Sequence, residues 1–318
     1  MQSPNIHEMA IYTRRVNAVL DYIHTNLDDD LSLEQLAEVA GFSPYHFHRM
    51  FKHVVKETLN KYVNRVRIEK ASKLLVFHEN MSLTEIGLEC GFSSSAGFSR
   101  SFKVFYGMSP TNYRLQFNIF KSRSVTFAEK HFRHKMQAAG YLSIDIDETI
   151  RWAHHYVHTA QIVHFPPVKV LSIRHSGLSD TGLTPELSHA FDKAFRQAHH
   201  NGLLSSEPEI IGVSYDDPYL IPLEKCRYDA CVTVTPHSES RDDLEISTLP
   251  GGKYAVIEIR GSIHLLWLLS GLLAQSWLPQ SGYVLDDNRP IIEKHFSNPR
   301  TDPERHFRSQ WCLPIRGK

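Results

Sequence analysis

Two stretches of the chain carry one hydrophobic pattern. "LSLEQLAEVAGFS" from Leu31 and "MSLTEIGLECGFS" from Met81 align residue by residue. Each opens with a serine followed three positions later by Gln35 or Glu85, the pairing in which the two side chains satisfy each other's free backbone donors at a helix start. A short helix is predicted from each, ending at Gly41 or Gly91, residues that can take the left-handed conformation closing a helix. Phe42 and Phe92 then plug inward. A second helix is predicted from a cap at Ser43, with Pro44 at its first position, and from Ser93 in the second copy. Helix, tight glycine turn, helix is the grammar of a helix-turn-helix unit, here used twice.

The 3.6-residue period divides the second helix of each unit into faces. In the first copy Phe47, Met50, Phe51 and Val54 form the inward stripe, and Tyr45, His48, Arg49 and Lys52 the stripe that reaches outward. One inserted residue shifts the second copy, so Phe98, Phe102 and Phe105 face in, and Ala96, Ser99, Arg100 and Lys103 face out. Arg49 and Arg100 therefore occupy equivalent positions. A helix in the major groove needs such a stripe, because arginine can donate two hydrogen bonds to a guanine while lysine or serine holds phosphates. The plainer alternative, a solvated face of an ordinary bundle, does not account for matched caps, turns and Arg-x-Phe-Lys endings in both copies.

Between the units, Thr58 to Phe77 is apolar at Leu59, Tyr62, Val63, Val66, Ala71, Leu74 and Leu75, which predicts one long amphipathic helix. It would span about 30 Å at the α-helical rise, close to the roughly 34 Å between successive major-groove faces of DNA. One chain could then contact two successive major grooves of double-stranded DNA. With "RIEKA" at Arg67–Ala71 and "GFSSSAGFSRSFKVFYGMSPTNYR" from Gly91, residues 8–117 resemble the DNA-binding domain of AraC/XylS-type transcription regulators. The resemblance implies base-reading positions at Tyr45, His48 and Arg49 in the first recognition helix, and at Ser95, Ala96, Ser99 and Arg100 in the second. With Ala96 and Gly97 where long polar side chains would be expected, the first helix is expected to carry more sequence information.

Residues 118–161 show neither a clear cap-to-cap helix nor strand alternation and read as a linker with some structure of its own. His154 and His158 have metal-ligand spacing, but with no carboxylate or cysteine partner nearby in sequence they read as a helix-face cluster. Beyond Pro166 and Pro167 a second duplication appears: "VKVLSIRHSG" and "GKYAVIEIRG" alternate apolar and polar residues and end in glycine, as half-buried strands do. Each leads into a helix, Leu187–His199 or Ile263–Trp277, and then into two more strands. The expected architecture is an all-α double helix-turn-helix domain followed by an α+β domain of two strand-helix-strand-strand units. Residues 162–318, through "IGVSYDDP", "EKCRYDACVTV", "LPGGKYAVIEIRG" and "WLPQSGYVLDDNRPIIEKHF", resemble the GyrI-like effector-binding fold of multidrug-sensing regulators and DNA gyrase inhibitors. The order of the two domains resembles Rob-like regulators. The chain departs from the GyrI-like pattern at Gly261–Ile263, where Gly-Pro-Tyr is favoured, and at His295, where tyrosine is common.

Composition adds boundaries. The 318 residues carry 35 Lys and Arg against 35 Asp and Glu, but the excess of positive charge lies in the first 135 residues and of negative charge in the rest. Four cysteines in no close pair, and the lack of a signal peptide, point to a reducing cytoplasm rather than a disulfide framework or zinc ribbon. The longest apolar run, around Leu265–Leu278, is shorter than the roughly 20 residues of a membrane span. No cofactor, metal or membrane partner is expected; RNA polymerase is a further candidate partner.

Glu293 stands alone in the apolar strand "RPIIEKHF", shortly after Trp277 and Tyr283. The GyrI-like resemblance implies that it lies in a cleft between the two halves and meets lipophilic, often cationic effectors. A carboxylate beside aromatic faces suits a bulky organic cation. Tyr215, Tyr228 and Tyr254 are candidates to line the same cleft. The alternatives are hydrolysis of a small molecule, with Glu293 and Tyr254 activating water, and a protein-interaction module. Lacking a recognisable nucleophile–base set, the chain is read as a regulator, not an enzyme.

Overall fold

The computed structural model describes residues 6–78, 80–122, 127–138, 145–179, 184–217, 220–241, 244–297 and 307–318. The chain divides into two units, Met1–Ile119 and Phe120–Lys318.

The first unit is helical: α1 (Ile6–Thr25), α2 (Leu33–Val39), α3 (Pro44–Val55), α4 (Leu59–Phe77), α5 (Leu83–Glu89), α6 (Ser95–Tyr106) and α7 (Pro110–Ser122). Ser82 and Glu85 form the reciprocal cap predicted for α5. Ser32 caps α2, but Gln35 turns instead to the Tyr22 hydroxyl, 2.8 Å away. The cap of α6 is Ser94, whose hydroxyl accepts from the Gly97 amide. That corrects Ser93: the inserted residue that shifts the recognition helix also shifts its cap. Gly41 and Gly91 take φ of 65° and 78°.

Phe47, Phe51, Leu36, Val19 and Ile23 fill the first core, closed by Tyr62 and Val66 of α4. The other side of α4 packs on α5 and α6, where Ile86, Phe98 and Phe102 are fully buried. Arg67 of α4 fastens the halves together. Its Nε and Nη2 donate to the carbonyls of Leu27 and Asp29, each at 3.0 Å, beside the Gly91 turn. Arg65 bridges Glu57 and buried Glu69 at 2.6 and 2.8 Å. Burial opposes its charge, but the two carboxylates more than offset that, and its pKa is raised.

Where a linker with some structure of its own was expected, the second unit opens with helices. Described residues of that stretch form α8 (Phe127–Ala138) and α9 (Ile146–Val157); residues 123–126 and 139–144 lie outside the described residues. Asp145 caps α9 through the Glu148 amide. Ala128, Phe132 and Met136 of α8, with Ile150, Ala153 and Val157 of α9, belong to the main core. His154 contacts buried Glu129 of α8, the carboxylate partner that local sequence did not offer. Among the described residues no cluster of His, Cys, Asp or Glu could hold a metal ion.

Among the described residues nine strands follow: β1 (Gln161–Phe165), β2 (Val168–Ser176), β3 (Ile210–Ser214), β4 (Arg227–Thr233), β5 (Ile246–Leu249), β6 (Gly252–Gly261), β7 (Tyr283–Leu285), β8 (Ile291–His295) and β9 (Phe307–Gly317). They form an antiparallel sheet of order β1-β6-β9-β8-β3-β4-β2-β5, with β7 on β9. Helix α10 (Pro185–His200), started by Thr184 and Pro185, packs on β2 and β4. Helix α11 (Ile263–Leu272) packs on β6 and continues through a π-helical turn, Leu273–Trp277. The order mirrors itself about the β3–β8 pair, so the duplicated units meet at the middle of the sheet. Among the described residues no helix is long and apolar enough to cross a membrane, and all four cysteines are free and buried.

Candidate functional site

In the first unit, α3 turns Phe47 and Phe51 inward and leaves Tyr45, His48, Arg49 and Lys52 exposed. Tyr45 is 75% exposed, and the Arg49 guanidinium lies over its ring, 5.8 Å from the centroid. In α6, Ala96, Arg100 and Lys103 are exposed, with Ser95 and Ser99 half-buried beside them. The structure thus presents all nine sequence-predicted positions on the solvent sides of two recognition-type helices. Phe47 and Phe98 are fully buried, and both helices pack on a shared α4. The α3 stripe carries the longer side chains, where α6 has Ser95, Ala96 and Ser99.

In the second unit the site is set by strand alternation. Setting Gly177 on Gly261, the glycines that close β2 and β6, matches Ile173 with Ile257. Their register partners Ala230 and Trp311 then match, as do the next partners inward, Gly212 and Glu293. Gly212 and Glu293 also pair directly with each other. The duplication is therefore centred on a pair with a glycine on one side and a carboxylate on the other. Helices α10 and α11 flank this seam on one face, leaving β3 and β8 as the floor between them.

The glycine makes room for a polar cluster: a Cβ on Gly212 would stand 1.7 Å from the Tyr228 hydroxyl oxygen and 3.0 Å from His295 Nε2. The Tyr228 hydroxyl donates to Glu293 Oε2 at 3.2 Å and lies 3.2 Å from His295 Nε2. His295 Nε2 is 3.7 Å from the same carboxylate oxygen. Phe191 of α10 packs edge-on to both the Tyr228 and His295 rings. Burial disfavours charge throughout. It pushes Glu293 up to about 7 against a small opposing effect of the Tyr228 hydrogen bond, and drives His295 down to about 4. Tyr228 is raised well above its usual range, by burial and then by Glu293. Near neutral pH the site is a carboxyl close to its titration point, flanked by a neutral imidazole and a neutral phenol. Such a group gains its charge when a cation arrives.

Of the six residues predicted for the cleft, the structure joins Glu293 and Tyr228. Trp277 and Tyr283 border the core on the same face, Tyr283 with Lys253 over its ring. Tyr215 and Tyr254 pack into the core on the opposite face, a correction with a simple cause: neighbouring strand residues point to opposite sides. Tyr215 donates to Asp229 at 2.8 Å, and Tyr254 lies under Arg289, 4.7 Å from its ring centroid. The pairing of Glu293 with Tyr254 to activate water is thereby lost. Gly212 and Phe191 were not anticipated as parts of the site. The glycine inside "IIGVS" was the available signal, since such a strand glycine marks close approach by another group.

A family model described as the GyrI-like small molecule binding domain matches residues 158–316, half of the chain; a helix-turn-helix domain model matches residues 36–116. The transcriptional activator AarP of Providencia stuartii is 35% identical over 100 residues, 31% of this chain and 73% of that protein. An HTH-type transcriptional regulator of Staphylococcus aureus (strain COL) is 39% identical over 100 residues, 31% of this chain, which spans 13% of that protein's length. The solved structure of an AraC-type regulator from Chromobacterium violaceum is 28% identical, with 32% of this chain and 91% of that one covered and a TM-score of 0.31. The match over half of the chain shows that it belongs to the family of GyrI-like small-molecule binding proteins, here joined to a helix-turn-helix domain.

Proposed function

We propose that the chain is a sequence-specific transcription regulator that reads two successive major grooves through α3 and α6 and is controlled by a lipophilic cation held at Glu293. The DNA half rests on Arg49 and Arg100, exposed at equivalent positions of two helices sharing α4. Against an operator found by random-site selection, Arg49→Ala weakens specific binding by about 1–3 kcal/mol and relaxes preference at one base pair. Lys52→Ala lowers affinity for all sequences and flattens the salt dependence. Unchanged operator affinity in folded Arg49→Ala protein would overturn the assignment.

The effector half rests on one observation: an ionisable carboxyl buried at the seam between the duplicated units, with only neutral groups bonded to it. A hydrophobic cation supplies the missing charge and covers apolar surface. A tetraalkylammonium carrying an aryl group should raise the melting temperature through binding to the folded state. Glu293→Gln keeps the shape and removes the charge, so it should weaken cations at least tenfold and uncharged analogues little. Equal loss for both would remove charge recognition from the site. The hydrolase reading gains no support from the geometry.

A further inference from the structure

The polar groups around Glu293 fall into two classes. On the β3–β4 side the Tyr228 hydroxyl is hydrogen-bonded. On the β9 side, Trp311 is the register partner of Glu293 and Ser309 that of His295. Directly opposed residues on neighbouring strands point to the same face about 5 Å apart, so these four side chains form one block. Trp311 is 5% exposed and Ser309 1%, yet among the described residues the indole Nε1 and the serine Oγ have no hydrogen-bond partner. The duplication sharpens the contrast, because Ser309 is the counterpart of Tyr228 in the second unit. Buried donors without partners are rare in folded proteins, and each calls for an explanation, such as a group supplied from outside the chain.

Resting on the reading of Glu293 as a cation site, we propose that Trp311 and Ser309 form a second anchor that recognises a hydrogen-bond-accepting oxygen on the effector, close to its cationic centre. The indole N–H is a donor only, so it selects an acceptor; the serine hydroxyl can accompany it. An effector of this class is an aryl cation bearing a carbonyl, ester or ether oxygen. A site built to bond such a group rejects the analogue that lacks it, because its own polar atoms are then left unpaired.

The test compares two cations of similar length by calorimetric titration of the full chain: benzoylcholine, which carries an ester, and (4-phenylbutyl)trimethylammonium, which does not. In Trp311→Phe the ratio of the two affinities should shift about five- to tenfold toward the ester-free cation, and in Ser309→Ala about threefold. Comparing the ratio cancels any general loosening of the wall. A ratio unchanged in both variants overturns the second anchor while leaving Glu293 its role. Should Trp311→Phe melt below the assay temperature, Ser309→Ala alone decides the same question. Absence of binding by either cation to the wild-type chain, or undiminished binding of both by Glu293→Gln, overturns the cation reading and the second anchor with it.

Discussion

Glu293 and His295 titrate in opposite senses from neighbouring positions. Glu293 is raised from 4.5 to about 7, so the folded state holds its proton more tightly; that contribution is complete below pH 4.5 and is lost as pH rises to 7. His295 is lowered from 6.5 to about 4, so its contribution is complete above pH 6.5 and is lost as pH falls to 4. Across the shared window each counts for up to one proton between the folded and unfolded states, and the two slopes oppose. Relative to wild type, Glu293→Gln should therefore gain stability with rising pH between about 4.5 and 7. His295→Gln should lose it between about 4 and 6.5. Denaturant unfolding at several pH values reads both slopes; parallel curves for all three proteins would show that neither group is perturbed. A period-two reading of "IIEKH" already places these residues on one face, so their neighbourhood was legible. Which face Tyr254 shares was not, because that depends on register with strands far away in the chain.

Among the elements, the two helix-turn-helix units look alike but their glycines carry different burdens. Gly41 has a left-handed φ of 65°, and an added Cβ would meet only the tip of Arg15, at 3.4 Å. Gly91 has φ of 78°, and its Cβ would stand 2.1 Å from the Leu27 carbonyl oxygen and 2.8 Å from Arg67 Nε. Gly41→Ala should cost about 1–2 kcal/mol of left-handed strain. Gly91→Ala should cost clearly more, since backbone and the Arg67 anchor must move as well. Equal losses in thermal unfolding would mean that this packing is slack. Both units were legible because caps, glycine turns and the 3.6-residue stripe are local signals. Helices α8 and α9 were not: their buried faces, such as Ala128, Phe132 and Met136, are narrow and set among charges. The core they complete comes from residues more than a hundred positions later.

For the whole molecule, that packing redraws where the effector-binding unit begins. A fragment starting at residue 158 would discard, among the described residues, six buried apolar side chains of the core, including Phe132, Met136 and Ile150. At roughly 1.5–3 kcal/mol for each large apolar side chain, the loss rivals the 5–15 kcal/mol that stabilises a typical domain. Residues 120–318 should melt cooperatively, while 158–318 should melt far lower or bind hydrophobic dyes as a loosened state; equal melting would show the helices to be dispensable. The centre of the sheet carries a consequence of another kind. A domain built from two matching halves would ordinarily offer the same groups on either side of its midline, and a molecule lying across it could turn end for end. With Gly212 on one side and Glu293 on the other, that indifference is gone. Saturation should come at one molecule per chain in a single orientation, and a symmetric dication should gain nothing from its second charge, which would find the neutral Tyr228 hydroxyl over Gly212 where the first finds a carboxylate.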